Sequence, residues 1–451
     1  MNLRLDRSLI LKILMTLILP ISIVIVKPLG MSLFQSIVLG TLFLTVTWWA
    51  TGCVNKEFAS ILMLLIFSVF GDTSLKNIYF FPLSHDFVTI IASFILSQGI
   101  VNSKVADRFS KYVLNKFCKN SKALVLMSFV LGIVFIFIIP QPFPRVIILA
   151  SIYASFLKNQ NITEEENQVL IFSIFLGSTV TSMMFLNGDL ILNYMAIEFA
   201  GISMSQLEWM KYMLFPTFLT SIILCLVYIF TFKNFLHREF ILHEAEPEKI
   251  SRKEAIATAI MMLVVVFWIT ENIHGISAMY VSLSGVLLMF IFGVIRIKDL
   301  STININLMLF LTAAFSIGKV LTGSGISSIL SNYFLTFFPP LDSVIYLPFV
   351  LLLIVVIHAM FGSTITALSV VTPTLIGITN GVFKPEFIAL LGYVAVSIQY
   401  LLPFHHVTIL IGFGNGYYKN AHVIKMGISL TIILPPLIFG IFMPWWRFMG
   451  L

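Results

Sequence analysis

The chain contains 451 residues, of which 59% are hydrophobic and only 10% are charged, whereas about 25% of residues are charged in a typical soluble domain. This composition excludes a soluble globular protein and predicts a chain that crosses a membrane many times. The net charge of +7 is concentrated in short loops, which is typical of cytoplasmic anchoring and does not indicate nucleic-acid binding. The three cysteines have no metal or redox spacing and predict no disulfide framework.

Apolar stretches long enough to cross the hydrocarbon core recur from end to end. The first follows a basic start and has no small-residue cleavage site, so we predict a retained helix and a cytoplasmic N-terminus. The region 31–70 accommodates either one or two spans. We expect a multi-pass protein of the cell (inner) membrane. The predicted spans lie near residues 8–26, 31–50, 56–70, 86–101, 123–139, 165–186, 209–231, 254–270, 277–295, 304–321, 344–360, 386–402 and 427–445.

One hydrophilic connector divides the chain near its middle. Thr231–Glu254 carries five Lys/Arg residues, which places it on the cytoplasmic side. The predicted organisation is therefore an N-terminal group of transmembrane helices (1–85), a first repeat (86–230), the connector (231–254) and a second repeat (255–451).

The two repeats are indicated by an internal similarity with opposite charge. Phe94–Tyr112 aligns with Phe315–Tyr333 at a constant offset of 221. Residues 104–122 of the first copy carry six Lys/Arg residues, and residues 325–343 of the second copy carry none. Because basic loops stay in the cytoplasm, the copies should lie on opposite faces of the membrane. Repeats of inverted topology are typical of secondary transporters.

Each repeated segment is followed by an apolar stretch that is broken in its middle. In the first half the break is Ile138–Arg145, with three prolines, and in the second half it is His358–Thr366. Prolines remove N–H donors and end helices, and broken backbone at membrane depth persists only when buried in protein or lining a cavity. The coinciding breaks predict two re-entrant hairpins, near 138–158 and 358–380.

A second interruption follows each hairpin, at Gly177–Leu192 and at Leu402–Gly416. We predict that both are unwound parts of spanning helices. Freed carbonyls and hydroxyls in such segments coordinate small cations, and helix N-termini attract anions.

The ionisable residues at these interruptions leave several interpretations open. Arg145 either reaches the cytoplasmic face along its aliphatic stem, provides a fixed charge for an anionic substrate, or substitutes for a bound cation. Asp189 either pairs with Arg145 or carries an exchangeable proton or sodium ion. At most one of the adjacent His405 and His406 is expected to point into a site, because neighbours on a helix do not share a face.

These segments together resemble the divalent anion:sodium symporter family over about residues 85–445. Its hairpin tip is similar to Phe361–Ala367 followed by Val371–Pro373. The other similar segments are Asn306–Ile326, which ends in a Gly-rich turn, and Phe172–Leu192 and Leu402–Tyr418, which resemble the unwound helices. The first tip departs from the family pattern, because Pro142–Arg145 offers few side-chain oxygens where Ser-Asn-Thr is expected.

The resemblance implies that each tip and its facing unwound helix bind one sodium ion, with the substrate between the tips. Only the second cation site is carried over, through Ser363, Thr364 and Thr366 with the backbone of Pro403 and Phe404. The predicted substrate-binding residues are Arg145, Pro144, Asn187, Gly362, Ser363, Thr364 and His405, with Asp189 as an ion- or proton-coupling residue.

We therefore predict an all-α polytopic membrane protein of two inverted-topology repeats, each with a re-entrant helical hairpin and an unwound transmembrane helix. The predicted function is secondary active transport of a small anion, carboxylate- or sulfate-like, coupled to sodium or protons, in a homodimer and without a cofactor. Two alternatives are a membrane enzyme acting on lipid-linked glycans and a non-transporting sensor or scaffold. The chain has no catalytic motif, so we expect a non-enzyme.

Overall fold

Helices make up the architecture, as the composition predicts. The computed structural model describes residues 7–158, 160–242, 250–334, 336–379 and 382–451, and the central part of the predicted connector, 243–249, lies outside the described residues. The helices are α1 (Arg7–Val26), α2 (Leu33–Thr51), α3 (Lys56–Phe70), α4 (Leu75–Ile78), α5 (His85–Ser103), α6 (Val105–Phe117), α7 (Ser121–Ile138), α8 (Pro142–Leu157), α9 (Glu164–Thr181), α10 (Leu192–Ala200), α11 (Gln206–Thr231), α12 (Arg252–Ile269), α13 (Glu271–His274), α14 (Ala278–Ile291), α15 (Ile305–Gly323), α16 (Ile326–Phe334), α17 (Tyr346–Phe361), α18 (Thr364–Ile378), α19 (Pro385–Ile398), α20 (Val407–Gly414), α21 (Asn420–Leu437) and α22 (Met443–Phe448).

Several long helices begin with a capping box, in which a Ser or Thr and a Glu or Gln three residues later satisfy each other's backbone N–H groups. Thr163 and Glu166 start α9 in this way, and Ser205 and Glu208 start α11. The same device starts α2 at Ser32 and α12 at Ser251. The sequence therefore fixes these helix starts locally.

Among the described residues, six helices are long and apolar enough to cross a membrane, and seven shorter apolar helices accompany them. The region 31–70 contains two helices, α2 and α3. The predicted span 427–445 differs most, because its helix already begins at Asn420. The hydropathy pattern missed the first turns, since they carry the polar residues Asn420, His422 and Lys425. A π-helical turn at Ile438–Phe442 follows Pro435 and Pro436 and connects α21 to α22, as expected where prolines disturb the helical ladder.

The order of elements repeats at offsets close to 221. Helices α2, α3, α5, α6, α7, α8 and α9 recur as α12, α14, α15, α16, α17, α18 and α19. The next element after each copy is a 3-10 turn, at Ser182–Met184 and at Pro403–His405. Lys104 (φ 64°) and Gly325 (φ 76°) both adopt the left-handed conformation between paired helices. A left-handed lysine is uncommon. The same backbone conformation occurs 221 residues later, at Gly325, which supports a structural repeat.

The described chain divides into two compact units. The first comprises Met1–Phe87, Met195–Ile202 and Asn304–Val396, and the second comprises Val88–Tyr194, Ser203–Ile303 and Ser397–Leu451. The first unit includes α17 and α18, and the second includes α7, α8 and α9. These units combine separate parts of the chain. They therefore do not test the sequence divisions at 85, 230 and 254, which stay a prediction.

Within the second unit, the connector is hydrogen-bonded to both ends of the first interrupted segment. Ser121 at the start of α7 donates its N–H to the Arg238 carbonyl at 2.9 Å. The amide of Gln160, beyond the end of α8, exchanges two hydrogen bonds with the backbone of Ile241. Arg238 also pairs with Glu166 at 2.8 Å. The connector therefore fixes where this segment begins and ends.

Candidate functional site

The first predicted break consists of only three non-helical residues, Ile139–Gln141. Pro142 occupies the first position of α8, where a missing N–H costs nothing because that N–H has no helical partner. Consequently Pro144 and Arg145 lie in the first turn of α8 and not in the loop, which differs from the predicted tip Pro142–Arg145. The prolines begin the second helix as well as ending the first.

Arg145 is fully buried, and its guanidinium donates hydrogen bonds to three oxygens of the same unit. Nε donates to Ser178 Oγ on α9 at 3.0 Å, and one terminal nitrogen donates to the Gly188 carbonyl at 2.9 Å. The other terminal nitrogen donates to the Ile139 carbonyl at 3.4 Å. These bonds join the break, α9 and the first unwound segment. The burial does not support the interpretation in which Arg145 reaches an aqueous face.

The first unwound segment lies where the sequence predicts it. Helix α9 ends at Thr181, and two single 3-10 turns at Ser182–Met184 and Leu186–Gly188 are separated by extended Phe185. Gly188 is required here, because a Cβ at this position would overlap the Ser182 carbonyl. The segment therefore presents non-helical carbonyls within the protein.

Side chains from outside the segment satisfy most of these carbonyls. The amide nitrogen of Asn193 donates to three of them, and the indole of Trp209 donates to the Met183 carbonyl at 3.0 Å. The three acceptors of Asn193 are the carbonyls of Ser182 at 3.2 Å, Phe185 at 2.8 Å and Leu186 at 3.2 Å. With Arg145 on Gly188, five carbonyls of the segment are bonded from within the protein.

Asp189 and Asn187 are buried beside this segment. One Asp189 oxygen accepts the N–H groups of Ile191 and Leu192, both at 3.1 Å, so the carboxylate caps the start of α10. No direct ion pair joins Asp189 to Arg145 among the described residues. The Asn187 side-chain oxygen accepts a hydrogen bond from Gln206 at 3.2 Å.

Helix α7 packs closely on α9 through small residues. The hydroxyls of Ser128 and Ser173 are 2.6 Å apart. A Cβ on Gly132 would lie 2.6 Å from Thr181 Oγ1, and a Cβ on Gly177 would lie 3.0 Å from the Ser128 carbonyl. Small residues let membrane helices approach in this way. Here they let α7, the first helix of the broken segment, pack closely on α9, which ends at the first unwound segment.

The second break, in the first unit, consists of two residues. Gly362 adopts the left-handed conformation (φ 59°) that ends α17, and the Ser363 side chain caps α18 by accepting the Thr366 N–H. Ser363, Thr364 and Thr366 are all buried. In the described part of the chain, Thr366 Oγ1 has no hydrogen-bond partner. This tip therefore holds a buried oxygen that is available to a ligand.

The second unwound segment, in the second unit, lies between α19 and α20. Leu402 and His406 are extended on either side of the turn Pro403–His405. His405 and His406 are both buried, whereas Phe404 is largely exposed. His405 Nδ1 accepts the Leu401 N–H at 3.1 Å, so the ring braces the unwound backbone. Helix α20 packs on α8 and α9.

The chain matches the family described as the sodium:sulfate symporter transmembrane region over residues 7–451. The chain belongs to the sodium:sulfate symporter family. The predicted family is therefore confirmed, and the apolar helices make this a multi-pass membrane protein.

Two similar proteins agree with this assignment. An uncharacterized transporter of Methanocaldococcus jannaschii is 23% identical over 227 residues, which cover 49% of this chain and 51% of that protein. The match thus spans about half the length of that relative. The crystal structure of the Alcanivorax borkumensis YdaH transporter superposes with a TM-score of 0.54 and 14% identity, covering 80% of this chain and 84% of that one. This similarity shows the fold, and the family agrees with the predicted non-enzyme.

Three residues of the first half were not predicted from the sequence as part of the site: Ser178, Asn193 and Gln141. Gln141 is fully buried, and neither of its amide atoms has a partner among the described residues. Its position between Pro140 and Pro142 was a usable signal, because a polar amide in an apolar break needs a partner. The described residues contain no cluster of three or more His, Cys, Asp or Glu side chains that could hold a metal.

Proposed function

We propose that this symporter-family protein moves a small anion, carboxylate- or sulfate-like, by secondary active transport coupled to sodium or protons. The observation that carries the proposal is the recurrence of a broken stretch and an unwound segment in each repeat, with a buried cationic side chain, Arg145, at the first. Interruptions in corresponding places of two repeats are the best sequence indicator of a transport site.

The proposed anion-binding groups are those predicted from the sequence, extended by one residue. Arg145 supplies positive charge beside the first break, with Pro144 in the same turn of α8 and Asn187 in the first unwound segment. At the second tip, the backbone of Gly362, Ser363 and Thr364 begins α18, and a helix N-terminus attracts negative charge. His405, in the second unwound segment, is also proposed to bind the anion. Gln141 adds an unpartnered amide, which suits a carboxylate or sulfate oxygen.

The proposed coupling ion binds through the second half. Ser363, Thr364 and Thr366 carry the hard oxygen ligands that a small cation prefers, and the unpartnered Thr366 Oγ1 supports this assignment. The predicted contribution of the Pro403 and Phe404 backbone belongs to the same proposal, as does an exchangeable proton on Asp189. In the proposed transport cycle, the hairpin-bearing bundle moves as a rigid body and gives alternating access to the two sides of the membrane. The proposed assembly is a homodimer.

The two repeats are proposed to have opposite orientations in the cell (inner) membrane. The N-terminus is proposed to lie in the cytoplasm. We expect single cysteines at Lys111 and Asn332 to be labelled from opposite sides, because both positions are exposed and only the first lies among clustered Lys/Arg residues. The measurement uses an impermeant thiol reagent and protein lacking Cys53, Cys118 and Cys225. Labelling of both positions from one side contradicts the inversion.

Uptake into proteoliposomes tests the transport itself. We expect labelled sulfate or a C4 dicarboxylate to accumulate when a sodium or proton gradient is imposed, and not when the gradient is collapsed by an ionophore. Vesicles containing protein with Gly132→Val, which places a branched side chain against Thr181, serve as an inactive control. Binding without uptake under either gradient indicates the sensor or scaffold alternative.

A further inference from the structure

The positive charge of Arg145 is surrounded as a bound cation would be. A buried charge inside a membrane costs roughly 2.5–3.5 kcal/mol on insertion scales unless it finds partners. Arg145 finds one hydroxyl and two backbone carbonyls from three separate segments. Hydroxyls and freed carbonyls of unwound helices are the groups that coordinate sodium in transporters.

Most of the backbone carbonyls around Arg145 already accept hydrogen bonds from within the protein. Besides the Gly188 carbonyl taken by Arg145, the carbonyls of Ser182, Met183, Phe185 and Leu186 accept hydrogen bonds from Asn193 or Trp209. A sodium ion would have to displace these donors. It would also meet the guanidinium charge in a site of low dielectric, where like charges repel strongly.

The repeat-equivalent position in the second half shows the opposite arrangement. At the offset of 221, Arg145 corresponds to Thr366, a fully buried residue whose hydroxyl has no partner in the described chain. At equivalent positions, the first half therefore contains a cation with three hydrogen-bonded acceptors, and the second half contains a hydroxyl without a partner.

We propose that Arg145 is a permanent, covalently attached cation that occupies the place of a coupling ion in the first half, so that the protein binds exchangeable cation only in its second half. Arg145 acts as a positioning residue that holds the break at Ile139–Gln141 against α9 and the unwound segment. An arginine suits this role, because its planar fork reaches several acceptors and stays charged at any physiological pH.

Because this role presupposes the ion-coupled transport proposed above, its tests are binding measurements that do not need transport. Arg145→Ala should lower the melting temperature of the purified protein by several degrees, since three buried acceptors lose a donor. Millimolar methylguanidinium should restore at least half of that loss, whereas methylammonium, which lacks the planar fork, should restore little. Arg238→Ala, which removes a partly exposed arginine, is the matched control and should not respond to either additive.

Sodium provides the second measurement. In Arg145→Ala, sodium should stabilise the protein more than it stabilises the wild type, because the emptied oxygens then accept a cation. With Arg145 intact, Thr366→Val should move the sodium-dependent rise in melting temperature to sodium concentrations roughly 10- to 100-fold higher, measured with choline as the reference cation. A sodium response that Thr366→Val leaves unchanged shows that exchangeable sodium does not bind at Thr366 and overturns the proposal.

The outcomes separate this role from the proposed function. If Arg145→Ala does not fold, the Thr366→Val titration decides the question in protein that retains Arg145. If the wild type shows no sodium response, proton coupling is favoured in the second half, and methylguanidinium rescue alone decides the role of Arg145. Absence of rescue together with an unchanged sodium response in Arg145→Ala refutes the built-in cation even if uptake is observed.

Discussion

Asn193→Leu should prevent the protein from holding its first unwound segment. One amide nitrogen donates to the carbonyls of Ser182, Phe185 and Leu186. The Phe185 carbonyl also accepts the Gly188 N–H at 2.8 Å, so leucine, which has the same branching but no donor, removes the Asn193 bonds of Ser182 and Leu186 without replacement. An unsatisfied buried carbonyl costs about 1–3 kcal/mol, and water does not reach a residue that is fully buried. We therefore expect a loss on the order of 3 kcal/mol or more, seen as a lower melting temperature in detergent and as aggregation during gel filtration.

The control for this substitution is Asn415→Leu. Asn415 also donates its amide to a helix carbonyl, that of Ile411 at 2.8 Å, but it is exposed, so water can replace the bond. We expect little change in its melting temperature. Equal losses in the two variants would show that the unwound segment is held by packing and not by the Asn193 amide.

The positions of both breaks could be predicted from the sequence because they depend on local chemistry. Pro140 and Pro142 end one helix and begin the next, and Gly362 supplies a left-handed residue before the cap at Ser363. The repeat could be predicted in the same way, since the similarity at the offset of 221 corresponds to recurring helices.

The partners of the polar residues could not be predicted, because each lies far along the chain. Ser178 receives its bond from Arg145, 33 residues away. A serine in a membrane helix more often bonds a carbonyl of its own helix, so nothing in the sequence singled out Ser178. The assignment of Asp189 as a cap for α10 likewise depended on where the helix restarts.

The position of Arg145 was predicted, but its environment was not. The sequence left three interpretations open, and its burial against three oxygens favours the one in which the side chain replaces a cation. The same comparison explains why the second tip retains hydroxyls. A half that carries no fixed positive charge needs oxygen ligands to hold an exchangeable one.

Thr366→Val should therefore uncouple transport from sodium with little effect on folding. Valine has nearly the shape of threonine, and the Thr366 hydroxyl has no partner to lose in the described chain. An interaction between a hydroxyl and a charged group is worth about 1.5–3 kcal/mol, so the sodium concentration for half-maximal uptake should rise roughly 10- to 100-fold. The measurement is uptake into proteoliposomes across a sodium titration at constant ionic strength and pH.

Thr379→Val is the matched control at the other end of α18. Its hydroxyl is also buried, but it donates to the Leu375 carbonyl at 2.8 Å, so it is not available as a cation ligand. We expect Thr379→Val to leave the sodium dependence of uptake unchanged. If Thr366→Val also leaves it unchanged while the protein remains folded, the cation does not bind at the second tip. If Thr366→Val instead lowers the melting temperature by several degrees and also weakens the sodium dependence of uptake, the hydroxyl stabilises the tip. Its effect on coupling is then indirect.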